Sequence, residues 1–386
     1  MKKGWEISEF ENCLENVTYT NKIQRKDFKK QGKYPIISQE QEFINGYWDN
    51  DKDLFKIKKP VIIFGDHTQV IKFIDFNFVL GADGVKILKA KNHIDPKYLY
   101  YYMQNINLEN LGYARHYRLL KEKRVAYPKS LSKQRYIVAT LDKCFAAIDK
   151  AKANAEQNLK NAKELFESYM QGVFGEEPHT KTPRREGWEM KKLGDICEIV
   201  GGGTPSKKNL KFYEGNIHWA TVRDMKSEII TDTEFKITDD AIKNSSTKII
   251  PKKNVIIATR VGLGKVCLIQ NDTAINQDLR GVIPKKLSQL DPYYLFHWFK
   301  SISNLIIAEG KGATVQGVTL PFIKNLGIPL PPLKEQQAIV RQLDALRVET
   351  QKLEAVYQKK LADLEELKKS ILQKAFVGEL VGKGVG

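Results

Sequence analysis

One stretch of this chain occurs twice. Residues 134–142 read Gln-Arg-Tyr-Ile-Val-Ala-Thr-Leu-Asp, and residues 336–344 read Gln-Gln-Ala-Ile-Val-Arg-Gln-Leu-Asp. The offset of 202 continues through a helical segment: Ile137 matches Ile339, Leu141 matches Leu343, Asp142 matches Asp344, Leu165 matches Leu367 and Phe174 matches Phe376. A repeat of about half the chain requires two copies of one architectural unit. The segment before each copy has diverged far more, so one scaffold is expected to carry two dissimilar domains.

Both copies show apolar residues at alternating spacings of three and four, the mark of a coiled-coil seam. In the first the positions are Cys144, Ile148, Ala151, Ala155, Asn158, Ala162, Leu165 and Tyr169, with Leu159 alongside. In the second they are Leu346, Thr350, Leu353, Tyr357, Lys360, Leu364, Leu367 and Ile371, with Leu361 alongside. The first seam is rich in Ala and the second in large residues, a pairing that interdigitates at close range. A lone surface helix is the alternative for either. If a pseudo-two-fold relates the repeats, the helices lie antiparallel. At 1.5 Å per residue, a helix of ~38 residues is ~57 Å long, enough to hold two domains roughly one DNA turn (~34–36 Å) or more apart.

The order along the chain is then domain, helix, linker, domain, helix, with boundaries at 1–130, 131–174, 175–186, 187–332 and 333–380. Short β-rich runs such as Val61-Ile62-Ile63-Phe64, with turn residues between them, make the domains mixed, and the fold class α+β. Gly172 and Gly175 end the first helix in the usual C-terminal manner. The following stretch is polar and Pro-bearing, as linkers are. Gly187-Trp188-Glu189 restarts the pattern of Gly4-Trp5-Glu6. Asp95-Pro96-Lys97-Tyr98-Leu99 matches Asp291-Pro292-Tyr293-Tyr294-Leu295, each opening a short aromatic helix with Pro near its first position. Trp5 and Trp188 read as core anchors rather than base stackers.

The net charge is +17, and its placement is informative. The two helical segments (133–172 and 336–380) together carry 15 basic and 12 acidic residues, which leaves +14 on the remainder. An excess on the globular parts suits a phosphate-facing surface; a generically basic protein is the plainer alternative. Cys13, Cys144, Cys197 and Cys267 form no Cys-x-x-Cys pair and have no His cluster beside them, so no metal is expected and reduced thiols are. No run approaches the ~18 apolar residues of a membrane span, and the start lacks the apolar core of a signal peptide. A cytoplasmic location without membrane attachment is expected.

With these features in place, the whole chain resembles the DNA-specificity subunit of Type I restriction–modification systems. The resemblance is strongest in Gly317-Val318-Thr319-Leu320-Pro321-Phe322-Ile323-Lys324 and in Ile328-Pro329-Leu330-Pro331-Pro332-Leu333-Lys334-Glu335-Gln336-Gln337. Gly201-Gly202-Gly203-Thr204-Pro205-Ser206 and Asn276-Gln277-Asp278-Leu279-Arg280-Gly281 fit the second domain, and Gly65-Asp66-His67-Thr68 and Gly81-Ala82-Asp83-Gly84-Val85 the first. The resemblance implies two target-recognition domains on two long antiparallel helices, each reading half of a split, asymmetric site in double-stranded DNA. It implies docking of two modification subunits that bring S-adenosylmethionine and methylate adenine, and of a restriction subunit that translocates and cleaves. It implies no catalysis and no cofactor for this chain.

The residues agree on the last point. There is no Asp/Asn-Pro-Pro-Tyr/Phe methylation motif, since Leu330-Pro331-Pro332-Leu333 lacks both flanks. Gly264-Lys265 and Gly310-Lys311 lack the upstream glycine and following hydroxyl of a P-loop. Gly201-Gly202-Gly203 lacks dinucleotide-fold spacing and suits a tight turn against DNA. A free-standing methyltransferase or nuclease, and a scaffold that binds no DNA, are the competing classes. The DNA-contacting candidates in the second domain are Thr204, Ser206, Lys207, Arg223, Arg260, Lys265, Gln277, Arg280 and Lys311. Those in the first are Lys22, Arg25, His67, Thr68, Lys72, Arg115 and Arg118. Arg can fork onto guanine and Gln onto adenine, whereas Lys more often positions the protein on phosphate. Arg280 equally suits bracing the Asn276–Gly281 turn, and His67 an ordinary strand end. The glycines after Arg260 would let backbone approach the duplex.

Overall fold

The computed structural model describes residues 4–82, 84–112, 114–175, 187–311 and 317–380, with the Lys311 side chain left out. The chain divides into two units, one comprising residues up to Gln157 together with those from Gln358 on, the other Asn158–Tyr357. Each unit therefore holds one globular part, a portion of the helix Leu131–Phe174 and a portion of the helix Leu333–Phe376. Most of the linker expected at 175–186 lies outside the described residues. Gly175, at its start, adopts φ +83° and its N–H donates to Gln171 O at 2.8 Å, a left-handed stop for the helix.

In the first unit a four-stranded antiparallel sheet runs Leu14–Glu15, Val85–Ala90, Val61–Gly65, Ile71–Ile74. A second, mixed sheet is built around Phe78–Gly81, flanked by Lys22–Ile23, Tyr34–Ile37 and Leu54–Phe55. The strand Val61–Gly65 is buried throughout and serves two cores by alternation. Val61 and Ile63 join Ile37, Ile74, Phe78 and Leu80, while Ile62 and Phe64 join Tyr98, Leu99, Ile137 and Leu141 on the helical side. The second unit repeats this scheme: in Val255–Ala258, Ile256 and Ala258 face a core with Val200, Cys267 and Ile275. Val255 and Ile257 face one with Tyr294, Leu295, Ile339 and Leu343.

The repeated Gln has the same task in the two units, and the repeated Asp binds the aromatic helix of each through different partners. Gln134 is fully buried; its Oε1 accepts from Asp95 N (2.8 Å) and its Nε2 donates to His93 O (2.9 Å) and Pro128 O (2.8 Å). Gln336, also fully buried, binds Asp291 N (2.9 Å), Gln289 O (2.8 Å) and Pro331 O (2.8 Å). Asp95 and Asp291 in turn cap the short aromatic helices Pro96–Asn105 and Pro292–Ser301, each with Pro in the first turn. Asp142 accepts hydrogen bonds from Lys97 and Tyr101, and Asp344 from His297. Phe376 packs edge-on to Tyr98, with centroids 5.4 Å apart, and Phe174 packs on Tyr294 at 5.3 Å. Each unit thus clamps its own aromatic helix between the start of the long helix that follows it and the end of the other.

In the first unit the long helices run antiparallel, because Lys368 lies over Phe145 while Lys152 pairs with Glu365 at 2.6 Å. In the second unit the Tyr169 hydroxyl donates to Gln342 Oε1 at 2.7 Å. The phase of the seams differs from that read in the sequence. Ile148, Ala155, Ala162, Thr350, Tyr357 and Leu364 are buried or half-buried as expected, but Asn158, Leu165, Tyr169, Leu353, Lys360 and Leu367 are exposed. Their places are taken one residue later by Leu159, Phe166, Met170, Glu354, Leu361 and Lys368. Lys152 and Lys368 show why: the aliphatic stem of a lysine covers a seam while its ammonium stays in water, so an apolar-only count misassigns such positions.

All four cysteines are free thiols; Cys13, Cys197 and Cys267 are buried and Cys144 is half-buried. Trp188 is buried and Trp5 partly so, each against its unit's helical core. Among the described residues no three potential metal ligands cluster, and no helix is long and apolar enough to cross a membrane.

Candidate nucleic-acid interface

In the second unit three connecting segments surround a cleft of about 890 Å³. The first follows strand Cys197–Gly201. A Cβ on Gly202 would lie 2.1 Å from Ile275 O, and Gly203 N donates to Ile275 O at 3.0 Å. The triple-glycine turn is therefore tight because it packs on its own domain. It delivers Thr204 and Lys207 to the cleft wall.

The second segment is Thr221–Asp224, closed by a capping box in which Asp224 Oδ2 accepts from Thr221 N at 2.7 Å. That leaves Arg223 pointing outward and largely exposed, loosely paired with Glu234 at 3.6 Å. The third is the turn Asn276-Gln277-Asp278. Asn276, buried, donates to Asp278 Oδ2 at 3.1 Å and accepts from Asp278 N at 3.2 Å, which turns Gln277 outward. The Thr204 hydroxyl donates to Gln277 Oε1 and fixes that amide. Thr204, Lys207, Arg223 and Gln277 all line this one cleft, a cation-and-amide set of the kind that binds phosphates and base edges.

Ser206 is exposed next to Lys207, and Arg260 and Lys265 are exposed on the turn whose Val261 also lines the cleft. Gly262 and Gly264 in that turn serve internal packing: added Cβ atoms would meet Val222 and Ile307, each at 2.7 Å. Arg280 is a half-buried strand residue opposite Gly201, and its guanidinium occupies the space over that glycine. The Lys311 side chain lies outside the described residues. Sequence reasoning missed Leu210, Tyr213, Trp219, Val261 and Phe235 of the same wall. Tyr213, Trp219 and Phe235 form an edge-on aromatic cluster, and Trp219 Nε1 donates to Gly203 O at 3.1 Å.

The corresponding segments of the first unit keep the backbone bonding, which Thr259 makes in the second unit to Asp278 O and Val318 N (both 2.9 Å), but change the side chains. Buried Asp66 is the hub: its N donates to Gly84 O (2.6 Å), its carbonyl accepts from His116 N (2.7 Å) and its Oδ1 accepts from Tyr117 N (2.7 Å). This holds His67 and Thr68 beside the segment bearing Arg115 and Arg118, both exposed. Gln39 ties in a further loop, accepting from His67 N at 3.1 Å through its side chain and from the Thr68 hydroxyl at 2.6 Å through its backbone. Gly84, at φ +67°, has no room for a Cβ, which would lie 2.5 Å from Gln39 Oε1. Arg25 is exposed and pairs with Glu40 at 3.2 Å, and Lys22 is exposed on an edge strand.

Lys72 departs from expectation. It is buried, and its ammonium donates to Glu42 O and to Asn45 Oδ1 (3.2 Å). Burial pushes its pKa down to about 8. It pins the loop between Ser38 and Asn45 and is not displayed to a phosphate. His116 and Gln39 went unnoticed in the sequence because their partners Asp66 and His67 lie 50 and 28 residues away.

Comparison with known proteins identifies the family. The family described as Type I restriction modification DNA specificity domain matches residues 2–160 and 185–363. The Escherichia coli Type I restriction enzyme EcoR124I/EcoR124II specificity subunit is 32% identical over 343 residues, covering 83% of this chain and 81% of that one. The putative MjaX specificity subunit of Methanocaldococcus jannaschii is 24% identical, covering 98% and 94%. The fold is shared with the HsdS subunit of Thermoanaerobacter tengcongensis (TM-score 0.60, 18% identity, 98% of both chains). It is shared more closely with a chain from a structural study of type I R-M complex assembly (TM-score 0.72, 18% identity, 98% and 99%). Two matched segments, a repeated scaffold and two dissimilar sets of loops lead to one conclusion: this chain belongs to the family of Type I restriction–modification DNA specificity subunits.

Proposed function

We propose that the two globular parts read the two halves of a split, asymmetric site in double-stranded DNA, and that the long helices set the gap between them. As a specificity subunit the chain supplies sequence recognition to a restriction–modification system and does no chemistry itself. In the proposed complex two modification subunits methylate adenine in the recognised site, and a restriction subunit translocates and cleaves, in the cytoplasm. The reading is carried by one contrast. The Gln134 and Gln336 hydrogen-bond sets are the same in both units, whereas the loops that present Arg, Lys, Gln and His carry different side chains even where their backbone bonds recur. Duplicated support with different loops is what a two-part asymmetric site needs.

Co-expression with modification subunits, followed by mapping of methylated adenines by single-molecule sequencing, tests the proposal. The expected result is one bipartite motif with a fixed gap. Removing one turn from both long helices should change the gap and leave both half-site sequences alone. A motif without a gap, or half-site sequences that change with helix length, would refute it.

A further inference from the structure

Leu210 and Val261 are 74% and 61% exposed, yet both line the cleft of the second unit beside Lys207, Arg223 and Gln277. Val261 is not on a loose tip. Arg260 bridges Gly262, Lys265 N donates to Gly262 O at 3.1 Å, and the turn packs through Gly262 on Val222 and through Gly264 on Ile307. An ordered turn thus holds a branched apolar side chain in water on a cleft wall that joins Lys207, Arg223 and Gln277 to the rings of Tyr213, Trp219 and Phe235. That exposure forgoes the burial that stabilises apolar surface by about 25 cal/mol per Å², so a partner that covers it gains affinity.

The basic rim selects a polyanion, and duplex DNA offers one apolar group on its major-groove base edges, the C5 methyl of thymine. The matching connection of the first unit, between Val61–Gly65 and Ile71–Ile74, carries Asp66, His67, Thr68, Gln69 and Val70, and its valine is half-buried rather than exposed.

We infer that the second domain selects thymine in its half-site through the C5 methyl, with Val261 as the contacting side chain and Leu210 lining the same recess. This rests on the assignment of the cleft as a DNA-reading face. It adds a specificity determinant that hydrogen bonding alone does not supply, since uracil and thymine present the same O4 acceptor.

The test uses the full chain in complex with its modification subunits and a duplex carrying the mapped site. Each thymine of the second half-site is replaced in turn by deoxyuridine. At one position or more, loss of the methyl should weaken binding about fourfold, the factor for one buried carbon at ~0.8 kcal/mol. The Val261→Ala complex should bind the thymine and deoxyuridine duplexes equally. Val261→Thr, which keeps the branched shape but adds a hydroxyl, should shrink the ratio as well.

A half-site without an A·T pair overturns the inference. So does a wild-type complex indifferent to deoxyuridine throughout, or a fourfold loss that persists in Val261→Ala. Failure to distinguish the cognate from a scrambled duplex would instead refute the DNA-reading assignment itself.

Discussion

Replacing Gln134 by methionine keeps the side-chain volume and removes three hydrogen bonds from a site with no solvent access. Asp95 N loses its acceptor, and His93 O and Pro128 O lose their donor. Each buried group left without a partner costs about 1–3 kcal/mol, so even the low end gives about 3 kcal/mol for the three. The cost falls where the long helix, the end of strand Arg124–Pro128 and the cap of helix Pro96–Asn105 meet. Local opening there should become about 100-fold more frequent, since every ~1.4 kcal/mol is tenfold. Hydrogen-exchange mass spectrometry on the full chain reads this directly. Peptides covering 93–99 and 126–134 should exchange about 100-fold faster, while peptides covering 287–295 keep their protection. Gln336→Met should give the converse pattern around Asp291. Exchange within threefold of wild type at Asp95 would refute the account, and with it the explanation of why this glutamine appears twice.

The other predictions concern the proposed reading faces and the buried groups. Gln277→Ala and Arg223→Ala should each relax base preference in the second half-site only, with losses of roughly 5- to 150-fold on the cognate base. Lys207→Ala should weaken binding evenly across sequences and lower the salt slope by about one; binding titrations at several salt concentrations separate the two behaviours. The Lys72 ammonium is pushed from 10.5 down to about 8 by burial, so between roughly pH 8 and 10.5 the unfolded chain holds the proton that the folded chain has released. Its contribution to stability therefore rises with pH across that window, and denaturation midpoints of wild type and Lys72→Met should diverge between pH 7.5 and 10; parallel curves would count against it. Burial raises the thiols of Cys13 and Cys267 to about 11 and that of Cys197 to about 12. Iodoacetamide at pH 8 should therefore spare these three in the native protein and reach them on unfolding, as peptide mass mapping would show.

The scaffold was legible in the sequence because its signals are local. Asp95-Pro96 and Asp291-Pro292 announce helix starts, Gly175 announces a stop, and the three-four periodicity announces the long helices. The phase of the seam was not, because Lys152 and Lys368 cover it with methylene stems that a polar/apolar count ignores. The proposed reading faces were half legible. Thr204, Lys207, Arg223 and Gln277 converge on one cleft, and they share the residue types that bind nucleic acid. Lys72 has the same chemistry, yet topology turns it inward onto the Ser38–Asn45 loop. Whether a lysine in a strand faces solvent depends on what the opposite loop brings to it, and that loop lies about 30 residues away. Leu210 and Val261 show the reverse case, since apolar residue types alone would place them inside.

The division of each long helix between the two units has a consequence for synthesis. The second unit, Asn158–Tyr357, is continuous and has all its parts once its last residue leaves the ribosome. The first unit is interrupted. Tyr98, Ile137 and Leu141 are made early, but Leu372, Ala375 and Phe376, which close the same core, follow only after the whole second unit has been made. At ~5–20 residues per second, the intervening 200 or so residues take ~10–40 s. For that interval the earlier-made domain waits with an apolar helix face uncovered, so a chaperone, or a slowed rate of translation, would act on the N-terminal half first although it is the last to be finished.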